Sequence, residues 1–150
     1  MTVSQGDLLL GFAKINSAGT GYTGNTYVYN LGAASGYRSG VTPVALPNLN
    51  ADLAATLGSG WANDTAIRWG VVGVVGSASS VIGGDPARTT YFSRDYLGAP
   101  EGSDPLSLSA NQRGTLSTNL EAYINAMNGI DENGAASGGG DLPEQWHQQL

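Results

Sequence analysis

The sequence contains no cysteine, and this absence excludes several kinds of chemistry. Without disulfides, the packing of apolar side chains alone must hold the fold together. Without thiols, and with His147 as the only histidine, a zinc site of ordinary composition is excluded. A serine–histidine–acid triad would also have to recruit His147, for which exposure in a tail is the simpler interpretation. The sequence therefore predicts no catalytic residue, no metal ligand and no cofactor, and hence a protein that is not an enzyme.

Charged residues are also scarce. They make up 12% of the chain, Lys14 is the only lysine, and the formal net charge is -6. The few basic side chains are scattered, which argues against nucleic acid and anionic lipid as partners. A surface of Ser, Thr, Asn and Gly in place of mixed charges favours an extracellular or cell-surface location. No apolar run is long enough for a membrane span, so we expect a protein that does not cross a membrane.

Short apolar segments separated by glycine-rich turns predict the fold. The run Asp7–Ile15 predicts a strand covered on both faces, and residues 25–31 predict a half-exposed strand paired with it. Further strands are expected over residues 65–75 and 88–96. Together with two helices, these segments predict an α+β fold, a mainly antiparallel sheet of about four to six strands with both helices packed on it. Residues 1–129 are expected to form one domain, and residues 130–150 a glycine-rich linker and tail.

Both helices carry signals at their ends. The first opens around residues 46–50, where Asn48 or Asn50 can cap the free amides, and ends at Gly58. The second begins with Ser109-Ala110-Asn111-Gln112, which matches a capping box, and closes at Gly129. Its apolar residues recur at helical spacing, which predicts that the helix lies across the sheet.

The stretch from Arg68 to Ser77 reads RWGVVGVVGS and resembles the approach to a phosphate-binding loop. Its glycines are three residues apart, however, and no lysine follows, so neither a Walker-type loop nor a dinucleotide fingerprint fits. We expect instead a central strand. Gly70, Gly73 and Gly76 would mark places where another backbone or side chain comes close.

Two groups of acidic residues have unremarkable interpretations. Asp95, Glu101 and Asp104 flank a Gly/Pro segment typical of a solvated turn rather than the carboxylate pair of a glycosidase. Asp131 opens an oxygen-rich stretch that resembles the start of a calcium loop. The closing acid of such a loop would fall at Leu142, so a polar turn is favoured.

Four motifs in order resemble a group of exported bacterial proteins that carry PEP-CTERM sorting signals and occur in verrucomicrobial-type genomes. These motifs are QGDLLLGF at residues 5–12, YVYNLG at 27–32, NADLAATLGSGW at 50–61 and WGVVG at 69–73. The signal peptide and the Val-Pro-Glu-Pro anchor of that group are absent from the sequence. The resemblance implies a bacterial surface or biofilm-matrix component without established catalysis.

Composition and resemblance lead to two hypotheses of function. The first is a non-enzymatic structural protein that self-associates as a homo-oligomer or polymer, with filaments formed by strand addition. Its contact residues are expected to be Leu8, Leu9, Leu10, Phe12 and Trp146. The alternative is a carbohydrate-binding module with a polysaccharide partner, in which aromatic rings stack on sugars. Its stacking residues are expected to be Tyr27, Tyr29 and Trp61.

Overall fold

The computed structural model describes residues 2–37, 44–76, 81–93 and 109–127. Within these ranges the chain forms a four-stranded antiparallel sheet and two α-helices, which confirms the α+β prediction. The strands are β1 (Asp7–Ile15), β2 (Tyr22–Ala33), β3 (Ile67–Val74) and β4 (Thr90–Phe92). The helices are α1 (Leu49–Leu57) and α2 (Ala110–Met127), and short 3-10 turns cover Ala34–Tyr37 and Trp61–Asn63.

The sheet order is β2-β1-β3-β4, so β1 and β3 are its inner strands. β1 and β2 form the expected hairpin, in whose turn the Asn16 N–H donates to the Gly21 carbonyl over 2.7 Å. β2 begins earlier than expected, because Gly24, with a φ of 75°, lies inside the strand at an irregularity of the pairing. A glycine in a strand often marks such a bulge rather than its end.

The two helices pack on opposite faces of the sheet. Successive residues of β1 point to opposite faces, so Leu9 lies on one face and Leu10 on the other. Both are buried, at 1% and 7% exposure, which confirms that β1 is covered on both sides. We call the side of Leu9 the α2 face and the side of Leu10 the α1 face.

The α2 face holds the main apolar core. Residues from α2, both inner strands and the N-terminal segment form a single cluster, against which parts of β2 and β3 also pack. Its buried members are Val3, Leu9, Val74, Tyr123 and Ile124, and its half-buried neighbours are Val28, Val72 and Leu120. Each fully buried aliphatic side chain contributes about 1.5–3 kcal/mol. The apolar residues of α2 therefore pack against the sheet, as their spacing predicts.

Three of the predicted helix ends lie among the described residues, and two of them, the start of α2 and the end of α1, agree with the sequence. In α2 the Ser109 N–H donates to Gln112 Oε1 over 2.9 Å, and the Gln112 N–H donates to Ser109 Oγ over 3.3 Å, so the capping box is confirmed. Gly58 ends α1 with a φ of 97°, and its N–H donates to the Ala54 carbonyl. The predicted asparagine cap of α1 is wrong. Asn48 is left-handed at a φ of 63° and its side chain makes no capping hydrogen bond.

β3 confirms the central position predicted for RWGVVGVVGS, and two of its glycine positions are crowded. A Cβ at Gly73 would lie 2.5 Å from the carbonyl oxygen of Asp7 on β1. A Cβ just beyond the strand, at Gly76, would collide with the Glu121 carboxylate of α2 and lie 2.7 Å from Gln5 Nε2. Glycine therefore lets β1 and the α2 side chains approach the strand closely.

β4 covers only part of the segment expected to be a strand. The strand was expected over residues 88–96, whereas the structure assigns Thr90–Phe92 and describes the chain only to Ser93 at this point. Residues 94–108 and 128–150 lie outside the described residues, and with them the expectations for Asp95, Glu101, Asp104, Asp131, Trp146 and His147.

Candidate functional site

The strand residues predicted to mediate self-association belong to the protein's own sheet. Leu8, Leu9, Leu10 and Phe12 all lie in β1, which pairs with β2 along one edge and with β3 along the other. To be donated to a neighbour, β1 would have to leave this double pairing. Donation of β1 stays a prediction, and the structure gives it a clear cost.

Two of the predicted sugar-stacking residues meet in an aromatic cluster. The ring of Phe12 lies 6.3 Å from that of Tyr27 and 6.4 Å from that of Trp61, between ring centroids. Tyr27 is only 5% exposed, and its hydroxyl donates to Asp52 of α1 over 3.1 Å. Burial, together with this bond to the Asp52 carboxylate, raises the pKa of Tyr27 to about 12. Tyr27 therefore fastens α1 to the sheet.

Trp61, on the same face, also connects α1 to the aromatic cluster. Trp61 is half-buried, and its Nε1 donates to Asn50 Oδ1 of α1 over 3.1 Å. Tyr29 is also half-buried and lies opposite Leu10 of β1. Stacking of sugars on Tyr27, Tyr29 and Trp61 stays a prediction. In this conformation Tyr27 has no open ring face to offer.

The outer edge of β2 is the first feature suited to a partner. β2 is 12 residues long, is the edge strand of the described sheet, and contains no charged residue and no proline. An edge strand presents backbone N–H and C=O groups on its outer side, and proteins usually protect such edges with charges, proline or bulges. Of these three devices, β2 itself contains only bulges. Its pairing with β1 shifts register between Leu8 and Leu9 and again between Phe12 and Lys14.

Between these two irregularities β2 is regular. Tyr27 to Asn30 pair in unbroken register with Phe12 to Leu9. On one side of this run, the extra residue Leu31 uses its carbonyl to accept a hydrogen bond from the Tyr37 hydroxyl over 2.6 Å. The straight part of the edge is therefore short, and it is centred on Val28 and Tyr29.

An apolar groove on the α1 face is the second such feature. Its volume is about 270 Å³, and it lies where β3, β4 and the 3-10 turn Ala34–Tyr37 meet. It is lined by Leu8, Ala34, Tyr37, Val71, Tyr91, Phe92 and Ser93. Trp69 lies on the same face of β3 two positions before Val71, and its side chain is 67% exposed. This groove could not be predicted from local sequence patterns, because its walls come from segments that are far apart in the chain.

Lys14 and Asp64, which lie outside these two features, pair with each other. Lys14 Nζ lies 2.5 Å from Asp64 Oδ2, and this contact, with the Ala66 N–H, holds the pKa of Asp64 below its usual value. Among the described residues there is no group of three or more His, Asp or Glu side chains that could hold a metal ion. Nor does either described helix have the length and apolarity needed to cross a membrane.

No protein-family model, curated protein or solved structure matches this chain. The resemblance to exported PEP-CTERM proteins therefore remains a prediction. The edge strand and the groove are the two described features on which a proposal of function can rest.

Proposed function

We propose that this chain is a non-enzymatic structural protein of the cell exterior that self-associates, with strand addition at the outer edge of β2 as one of its contacts. One observation carries the proposal, the uncharged and proline-free edge strand of 12 residues. A second copy of the chain can extend the sheet there by pairing its own β2 in the antiparallel sense. The lack of charged side chains on β2 supports this contact, since pairing two β2 edges brings no like charges opposite each other.

The size of the regular edge sets the strength of this contact. A run of four residues, Tyr27 to Asn30, directs about two residues outward and so offers about four hydrogen bonds, each worth roughly 1 kcal/mol net. Association costs about 4–15 kcal/mol in lost freedom of motion. Edge pairing therefore assembles the protein only at high local concentration or with the help of a second contact. A high local concentration and a second contact are both what a matrix component would have.

The test compares a charged and a neutral substitution at the same position of the edge. Tyr29→Lys puts a lysine at the centre of the regular run, where two paired copies would bring like charges opposite each other. Tyr29→Thr is the matched control, because it also removes the ring but leaves a neutral residue that favours strands. We expect Tyr29→Lys to lower self-association by at least about tenfold in sedimentation velocity, which corresponds to about 1.4 kcal/mol, and Tyr29→Thr to retain it.

Negative-stain images of the unmodified chain decide the wider proposal. Filaments or regular oligomers at high concentration support it. Particles that remain monomeric at the highest attainable concentration would refute it, whatever the variants do.

One observation favours carbohydrate binding as a second candidate function. The Trp69 ring is 67% exposed beside an apolar groove, an arrangement that lets a ring face meet the apolar face of a sugar. If this is the function, a polysaccharide panel will contain a ligand that changes tryptophan fluorescence, and Trp69→Ala will abolish the response. A panel without any such ligand would remove this candidate.

A further inference from the structure

Edge pairing at β2 cannot by itself produce a filament. When two identical edges pair, each edge is used up and the contact closes on itself as a two-fold dimer. The opposite edge of the described sheet is β4, which has only three residues. A filament needs a further contact between unlike surfaces, one on each copy.

The apolar groove has a size that suits side chains of a partner protein. Its volume of about 270 Å³ lies below the roughly 300–1,000 Å³ typical of small-molecule sites. It has room for one or two large side chains. Val71 and Tyr91 line it from the sheet, and Tyr37 lines it from the 3-10 turn. Such a groove suits a short apolar segment of a protein.

We propose that this groove receives residues 141–150 of a second copy, with Trp146 as the anchoring side chain. The segment reads DLPEQWHQQL, and its three large apolar residues, Leu142, Trp146 and Leu150, are each four positions apart. That spacing places them on one side of a helical segment, in the manner of helices that bind in grooves. A buried tryptophan is also the commonest kind of anchor in protein interfaces. This contact deepens the proposed self-association and rests on it.

The chain between α2 and this segment is long enough to reach a neighbour. Residues 128–140 provide 13 residues, and a chain of that length can span at most roughly 45 Å. α2 packs on the face of the sheet opposite the groove. To fill the groove of its own copy, the segment would have to turn around an edge of the sheet.

Two variants of the full chain test the contact by complementation. Trp146→Ala removes the anchor, and Val71→Lys places a charge in the groove on a side chain that is half-buried. Each variant alone should form nothing larger than a dimer in sedimentation velocity. An equimolar mixture of the two should restore larger assemblies, because grooves of one variant bind segments of the other. We expect either variant to weaken the contact by roughly 30-fold or more.

The control for the groove variant is Val81→Lys. Val81 is 64% exposed and does not line the groove, so the same substitution there should leave assembly unchanged. Urea unfolding of all three variants checks that each one folds. Assemblies larger than a dimer that survive Trp146→Ala, or a mixture that stays dimeric, would overturn this inference. The proposed function itself fails only if the unmodified chain does not associate.

Disulfide trapping gives a second measurement that does not depend on loss of assembly. The chain has no cysteine, so the pair Ser93→Cys and Gln145→Cys places its only two thiols, one at the groove and one beside Trp146. We expect a ladder of linked chains on a non-reducing gel. The control pairs Ser93→Cys with Asn119→Cys, an exposed position on α2, and should give no ladder. A link within one chain would show that the segment binds its own groove, and would overturn the proposal.

Discussion

Replacing one glycine of β3 by alanine tests how closely the inner strands approach each other. At Gly73 a Cβ would lie 2.5 Å from the Asp7 carbonyl oxygen and 3.0 Å from Leu8 Cδ2. The carbonyl belongs to the backbone of β1 and cannot rotate away, so Gly73→Ala must push the two inner strands apart. Gly70 lies three residues earlier in the same strand. A Cβ there would meet only Ser93 Oγ, at 3.2 Å, so this side-chain atom needs to shift by only a few tenths of an ångström and can still accept the Val71 N–H.

The expected cost follows from this difference. Overpacking a buried position costs about 1–3 kcal/mol, and contact with a fixed backbone atom puts Gly73→Ala near the top of that range. Gly70→Ala should change the free energy of unfolding by no more than about 0.5 kcal/mol, since the smaller entropy of the unfolded chain offsets a minor adjustment. The two variants should therefore differ by about 2 kcal/mol.

Urea unfolding of monomeric protein at low concentration measures this difference. With a slope of about 1–3 kcal/mol per molar urea, a difference of about 2 kcal/mol moves the midpoint by about 1 M. Far-UV circular dichroism follows the transition. If Gly73→Ala unfolds at the same midpoint as Gly70→Ala, the inner strands do not approach as described, and the structural interpretation of the glycine-rich strand is wrong.

Two further predictions concern stability. Burial raises the pKa of Tyr123 to about 12, and burial with the Asp52 bond does the same for Tyr27, so both phenols stabilise the fold fully below their ordinary pKa of about 10. The free energy of unfolding should therefore fall as the pH rises from about 10 to about 12, and Tyr123→Phe should flatten that fall in urea titrations at pH 8 and 11. Ser109→Ala removes the side-chain half of the capping box and should cost about 1 kcal/mol in the same assay, whereas Thr118→Ala, at an exposed position on the same helix, should cost less.

Those parts of the fold that depend on local pattern were predictable from the sequence. The bounds of β1 are those predicted, because a short, largely apolar run that ends at the turn formers beginning with Asn16 is typical of a buried strand. The capping box at Ser109 and the end of α1 at Gly58 depend on residues close in the chain, and both are confirmed. The cap of α1 failed because the left-handed conformation of Asn48 turns its side chain away from the free amides.

The candidate site depends on contacts that a pattern does not contain. The sugar-stacking hypothesis treats Tyr27 and Trp61 as surface residues. Alternation along a strand does not reveal that a helix covers each face of the sheet. The groove needs Tyr37, Val71 and Tyr91 at one place, and these come from three separate elements. The 67% exposure of Trp69 beside this groove is likewise known only from the structure.

The structure also decides which route of strand addition demands less of the protein. Donation of β1 would expose Leu9 and Leu10, each worth about 1.5–3 kcal/mol, and would break the pairing with both neighbours. Pairing at the edge of β2 breaks nothing in the monomer. For the same reason, deletion of residues 1–12 is a poor test of assembly, because a chain without most of its central strand loses its fold whether or not it polymerises. Substitutions at Tyr29 leave that strand in place. If urea unfolding gives both variants the same stability, a loss of association that Tyr29→Lys shows and Tyr29→Thr does not share comes from the edge itself.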